Sequence, residues 1–170
     1  MNDQSVTTQL PTVTFERVLP GPIERVWEYI VDSEKRKTWL AAGEFERHVG
    51  GKIELHFDNN SLSPDEPRPG NSKGQRKFTG VITRIEPPRV LAFTWIGMGD
   101  SHVTFELSNY GKGVMLRVTH MNLPDSGTAM GVTAGWEVHT GILEDKLNGQ
   151  PPRPFWSTHD KLMREQQKKA

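Results

Sequence analysis

The stretch Thr128–Leu147, TAMGVTAGWEVHTGILEDKL, decides the fold. Its apolar and aromatic residues recur every three or four positions, which places them on one face of an α-helix. These residues are Val132, Trp136, His139, Leu143 and Leu147, with Ile142 beside them. The opposite face carries Glu137, Thr140, Glu144 and Asp145, which we expect to meet water. Burying one aliphatic or aromatic side chain contributes roughly 1.5–3 kcal/mol, so this helix should be a principal stabilising element.

Most of the chain before this helix has the residue pattern of β-strands. In KIELHF, residues 52–57, apolar and polar side chains alternate, as they do in a strand with one buried face. β-branched and apolar runs between turn residues predict the other strands. They are Thr12–Leu19, a strand beginning at Phe45, Lys77–Glu86, Arg89–Ile96, Ser101–Ser108 and Val114–Met121.

Three further helices are predicted from spacing and capping residues. IERVWEYIV, residues 23–31, has an apolar stripe, and Asp32 or Ser33 can cap a second short helix through Leu40. FWSTHDKLMREQQKK, residues 155–169, predicts a terminal helix after a proline-rich break. Strands followed by a long amphipathic helix indicate an α+β domain with a helix across its sheet. We expect a flexible N-terminus over residues 1–11, one domain over 12–148 and an extension over 149–170.

Composition excludes several classes of function. Lys plus Arg and Asp plus Glu both number 21, so no net positive charge favours nucleic-acid binding. The absence of cysteine excludes disulfides and thiolate metal sites, and it agrees with a cytoplasmic location. No apolar run is long enough to predict a membrane span.

The motifs of common enzymes and metal sites are also missing. The six histidines show no metal-binding spacing, and neither a nucleophile elbow nor a phosphate-binding loop occurs. His102 and His120 flank a hairpin, but closing the core requires Val103 to face His120 and turns His102 outward. We therefore predict neither a metal site nor a cofactor.

Several of these segments, in this order, resemble a known superfamily. The most telling are PPRVLAFTW, residues 87–95, and GWEVH, residues 135–139. The chain resembles the SRPBCC, or START-like, proteins, and in particular bacterial relatives of the activator of the ninety-kilodalton heat-shock chaperone ATPase. This resemblance implies a helix-grip fold: a curved antiparallel sheet of six or seven strands around the long C-terminal helix, with a cavity between them. In related proteins that cavity holds lipids, sterols, polyketides or other apolar molecules.

The leading hypothesis is a non-enzymatic domain that binds an apolar small molecule in this cavity. We expect the cavity to be lined by Trp39, Phe45, Phe93, Trp95, Phe105, His120, Trp136, His139 and Leu143. His139 is interpreted either as a polar anchor or as a core histidine. The long loop Asn59–Gln75 is expected to be either disordered or a functional lid. Two alternatives stay open: a co-chaperone with a chaperone partner, and a cyclase or hydrolase that uses a cavity histidine. A homodimer is compatible with all three.

Overall fold

The computed structural model describes residues 9–66 and 75–169. Its six strands are β1 (Val13–Pro20), β2 (Lys52–Asp58), β3 (Gln75–Glu86), β4 (Val90–Ile96), β5 (Asp100–Tyr110) and β6 (Gly113–Met121). Its four α-helices are α1 (Ile23–Val31), α2 (Ser33–Arg36), α3 (Ser126–Leu147) and α4 (Phe155–Lys169), and a short 3-10 helix covers Asn59–Leu62. The α+β fold predicted from the sequence is confirmed.

All six strands form one antiparallel sheet in the order β1-β6-β5-β4-β3-β2. Alternate residues along β4, β5 and β6 are buried, so one face of the sheet is the core face. The sheet is a curled half-barrel. Val103 pairs with His120, and His102 pairs with Met121. The predicted register of this hairpin is therefore confirmed.

Helix α3 lies against the sheet and is buried on more sides than the sequence suggested. Val138 and Ile142 lie on one face of the helix and Thr140 on the opposite one, yet all three are fully buried. The Thr140 hydroxyl donates to the Trp136 carbonyl at 2.6 Å and accepts from Nε of Arg17 at 3.1 Å. The expectation that Thr140 meets water is wrong, because β1, distant in sequence, covers that side of the helix.

A buried arginine organises the segment between α2 and β2. Arg36 donates to the carbonyls of Ile30 and Ala41, both at 3.0 Å, and to that of Gly43. Its guanidinium lies 3.6 Å from the centroid of the Phe45 ring. These bonds hold the chain in an irregular path, in which Phe45 makes only an isolated bridge to β2. The strand predicted to begin at Phe45 is therefore wrong.

The C-terminal extension is fixed to α3 by an arginine. Arg153 makes two side-chain bonds to the carboxylate of Asp145, at 2.8 and 2.9 Å, and its backbone N–H makes a third at 2.8 Å. Gly141 makes room for this arginine, since a Cβ there would lie 2.5 Å from Nη1 of Arg153. Charge-assisted bidentate bonds of this kind combine energy with a fixed orientation.

The 3-10 helix and the residues after it contact the start of α4. The Ser63 hydroxyl accepts from the Phe155 backbone N–H at 2.5 Å, and Glu66 accepts from that of Ser157 at 2.9 Å. Residues 59–66 thus form a docking surface for α4. Residues 67–74 of the loop predicted to be either disordered or a lid lie outside the described residues.

Replacing each of two glycines of α3 with alanine should change the stability of the protein differently. Gly135→Ala adds a methyl group in open space and should raise the free energy of unfolding by about 0.5–1 kcal/mol, the usual gain in a helix. Gly141→Ala should show no such gain, because Arg153 must then leave its position against the helix. Urea unfolding measures both values.

The Arg153→Ala background supplies the control. There Gly141→Ala should become stabilising, like Gly135→Ala, because the clash has been removed. If Gly141→Ala were equally stabilising with Arg153 present, the close packing of Arg153 on α3 would be refuted.

Candidate ligand cavity

A half-open cavity of about 500 Å³ lies between the core face of the sheet, α3 and α4. Its wall is mainly apolar and aromatic, with a few polar side chains. The lining residues are Leu40, Phe57, Asn59, Arg76, Phe78, Trp95, Met98, His120, Thr128, Gly131, Val132, Gly135, Trp136, His139, Phe155, Trp156 and His159. This size and composition are typical of small-molecule sites.

Two glycines of α3 keep the cavity open. Gly131 and Gly135 are four residues apart, so they lie on one face of the helix. A Cβ at either position would meet no atom within 4 Å. Glycine costs a helix interior about 1 kcal/mol relative to alanine, so both residues weaken α3 while leaving space beside it.

Trp95 is the centre of the aromatic wall. Its ring centroid lies 5.1 Å from that of Phe78, 5.9 Å from that of Phe57 and 6.1 Å from that of Trp136. The Trp95 and Trp136 rings meet edge to face. Such contacts fix large rigid surfaces at little entropic cost, so the wall is well suited to contact another ring.

His120 belongs to a chain of hydrogen bonds that runs from the Trp136 indole to the Trp95 carbonyl. Its Nδ1 accepts from the indole N–H of Trp136 at 3.3 Å, so the proton of the neutral ring is on Nε2. Nε2 then donates to the Ser101 hydroxyl at 3.1 Å, which donates to the Trp95 carbonyl at 3.4 Å. Burial, with a smaller contribution from the charge on His102, lowers the pKa of His120 to about 4. His120 is therefore neutral and orients Trp136.

His139 has one ring nitrogen committed to the backbone. Its Nδ1 donates to the Trp39 carbonyl at 2.8 Å, which leaves Nε2 as an acceptor in the neutral ring. The ring also lies 5.0 Å from that of Phe155 and 5.7 Å from that of Phe57, measured between centroids. Burial lowers the pKa of His139 to about 4, although the bond to Trp39 opposes this shift.

The structure divides the residues expected to line the cavity into two groups. Trp95, His120, Trp136 and His139 are on the cavity wall. The other five are buried and do not line it: Trp39, Phe45, Phe93, Phe105 and Leu143. Trp39 acts on the site indirectly, through its carbonyl bond to His139.

Sequence reasoning missed the contribution of the extension. Phe155, Trp156 and His159 from α4 all line the cavity, as does Asn59 from the 3-10 helix. No local pattern indicates where a terminal helix docks. Two sequence features could have indicated the cavity: the paired glycines of α3 and the inward position of Phe57 in KIELHF.

A larger groove of about 910 Å³ adjoins the cavity and shares Leu40, Phe57 and Arg76 with it. Its polar lining includes the exposed side chains of Lys37 and Lys77. Because these lysines are solvated and the groove holds no aromatic cluster, we regard the smaller cavity as the candidate site. Among residues 9–66 and 75–169, no three His, Asp or Glu side chains are grouped to hold a metal ion.

A curved antiparallel sheet closed on a long C-terminal helix, with an aromatic cavity beside that helix, defines the helix-grip class of the START-like superfamily. The family model described as "Activator of Hsp90 ATPase homolog 1-like protein" matches residues 20–148, and the chain belongs to this family. The resemblance seen in the sequence is thereby confirmed. No helix in the described part of the chain is long and apolar enough to cross a membrane.

Solved structures with the same fold include a protein encoded by gene BPP1335 of Bordetella parapertussis. It is 40% identical, the alignment covers 96% of this chain and 88% of that one, and the TM-score is 0.79. CalU16 from Micromonospora echinospora is 23% identical over 92% of this chain and 86% of its own, with a TM-score of 0.69. The Aha1 dimer from Colwellia psychrerythraea is 15% identical over 81% and 96%, with a TM-score of 0.61. A search of curated proteins gave no match.

Stability should fall as the pH drops from 6.5 to 4, because His120 and His139 resist protonation when folded. In this window the unfolded histidines bind protons and the folded ones, with pKa values of about 4, do not. Each should lower the free energy of unfolding by about 2 kcal/mol at pH 4.5 relative to pH 7.5. Urea unfolding at both pH values measures the loss.

The double variant His120→Gln/His139→Gln is the control and should lose most of this dependence. Asp145 does not contribute to this loss of stability. Its bonds to Arg153 hold the pKa of its carboxyl below 3.8, so it is protonated only below the measured pH range. Equal losses in the variant and the unchanged protein would show that these histidines are not the source.

Proposed function

We propose that this protein binds an apolar small molecule in the cavity between the sheet, α3 and α4. The observation that supports this most directly is the open space beside Gly131 and Gly135, which an ordinary helix would fill with side chains. A cavity that persists at the cost of two helix glycines is expected where an occupant supplies the missing contacts.

Binding fits the cavity better than catalysis does. The pKa values of about 4 make His120 and His139 weak bases at neutral pH. Within the described residues their hydrogen-bond partners are Trp136, Ser101 and the Trp39 carbonyl, and none of these is a carboxylate that would strengthen either ring as a base. A general base works best with a pKa near the operating pH. We therefore favour orientation of a ligand as the role of both histidines.

The extension belongs functionally to the cavity in this proposal. We keep residues 12–148 as the helix-grip domain and 149–170 as its extension, and assign to Phe155, Trp156 and His159 one wall of the site. Because Arg153 fixes the start of α4 to Asp145, that wall has a defined position.

Partners other than a ligand stay predictions. The Colwellia psychrerythraea relative is a dimer, which makes a homodimer a reasonable expectation for a chain of similar fold. A chaperone partner is suggested by the family description alone. The cytoplasmic location likewise stays a prediction.

Gly135→Leu should block the site without unfolding the protein. The leucine side chain enters open space on the cavity wall, where it occupies part of the volume that a ligand needs. We expect affinity for N-phenyl-1-naphthylamine, a neutral fluorescent probe, to fall at least tenfold while the thermal midpoint stays the same or rises. Fluorescence titration and thermal unfolding measure the two quantities.

Ser126→Leu is the matched control, because it adds leucine to an exposed position of the same helix away from the cavity. It should leave probe affinity unchanged. Undiminished binding to Gly135→Leu would place the bound probe elsewhere and contradict the proposal.

A further inference from the structure

One indole N–H of the cavity wall has no acceptor in the part of the chain that the structure describes. Nε1 of Trp95 is buried and makes no hydrogen bond with the described residues. Three other tryptophans have acceptors: Trp39 donates to the Tyr29 carbonyl at 2.8 Å, Trp136 to Nδ1 of His120 at 3.3 Å and Trp156 to Oδ1 of Asn60 at 2.8 Å. Trp95 thus differs from these three tryptophans, because each of their indole N–H groups has a hydrogen-bond acceptor within the fold.

A buried hydrogen-bond donor without an acceptor destabilises the folded protein. Leaving such a group without a partner costs about 1–3 kcal/mol of desolvation. Trp95 is only 5% exposed, so bulk water does not offer a ready partner. A phenylalanine would supply most of the same ring surface without the polar group. The native side chain is therefore explained best by an acceptor that arrives from the cavity on which Trp95 lies.

A second polar atom on the cavity wall is also without a partner within residues 9–66 and 75–169. Oδ1 of Asn59 is buried without a partner among the described residues, and the amide of this residue can present either an acceptor or a donor. The neighbouring histidines are neutral at pH 7, and His139 offers Nε2 as an acceptor. The buried part of the cavity thus offers hydrogen bonds but no full charge, and Arg76 on its lining is an exposed residue.

We propose that the cavity selects an uncharged, ring-bearing molecule with a carbonyl-type oxygen, and that Trp95 is the specificity-determining residue that donates to this oxygen. The inference rests on the proposed function and adds the hydrogen-bond pattern of the ligand to it. The aromatic wall contributes affinity for the ring, and the indole N–H discriminates between ligands with and without an acceptor. A site that hydrogen-bonds a ligand rejects an analogue lacking the partner atom, because its own polar group then stays unpaired.

Two probes of similar shape test this selection. 1-Acetonaphthone carries a ketone oxygen, whereas 1-ethylnaphthalene has the same ring system without an acceptor. Calorimetric titration of the full chain should show at least tenfold tighter binding of the ketone. Trp95→Phe keeps an aromatic ring on the wall and removes the N–H, so it should bind both probes with equal affinity.

Nuclear magnetic resonance gives an independent readout. The indole N–H signal of Trp95 should move downfield when the ketone binds and should move less with the hydrocarbon. The N–H of Trp136, which already donates to His120, is an internal reference and should shift little. Thermal unfolding of Trp95→Phe without ligand checks that the variant is folded, because the smaller ring loses part of the packing with Phe57 and Phe78.

The outcomes separate this inference from the proposed function. If both probes bind equally, or if Trp95→Phe keeps the preference for the ketone, the role of Trp95 is overturned and the binding cavity stands. The role of Trp95 is also overturned if its signal already has the downfield position of a bonded N–H without ligand, because a buried water then satisfies it. If neither probe binds at millimolar concentration, the proposed function and the inference both fail.

Discussion

The grip of the sheet on α3 is the constraint on which the rest of the structure depends. Val138 and Ile142 are fully buried on one face of this helix, and Thr140 is fully buried on the opposite face, next to β1. The polar member of this set, Thr140, is bonded to the helix backbone and to Arg17. A helix held from several sides cannot rotate or slide without breaking the packing, so the residues on its other turns have fixed positions.

The two halves of α3 therefore have different roles. Most residues of the C-terminal half, from Trp136 onward, are buried, whereas residues 128–133 and Gly135 are only partly buried. The packed half holds the helix in place, and the half with Gly131 and Gly135 provides space. The same element thus supplies both the stability of the fold and the opening in its core, at positions separated by little more than one helical turn.

The sequence predicted the fold more completely than the site, and the reason is the range of the interactions involved. Periodicity and turn residues report local structure, which is why the strands around the β5–β6 hairpin and all four helices were found. Phe45 and Thr140 were misjudged because their environments are set by Arg36 and by β1, which local patterns do not reveal. For the same reason Trp39 and Phe93 were predicted to lie on the cavity wall. Local patterns do not distinguish residues that line a cavity from residues that are buried in the core.

The position of α4 shows how the packed half of α3 controls the open half. Arg153 packs against Gly141 and forms hydrogen bonds to Asp145, and both residues lie in the C-terminal half of the helix. The chain leaves this anchor directly into Phe155, which contacts the ring of His139 at 5.0 Å between centroids and begins the α4 wall of the cavity. The wall is therefore located by contacts that a ligand does not touch. Under the proposed function, a ligand would therefore meet a site that is already formed and would not have to order it.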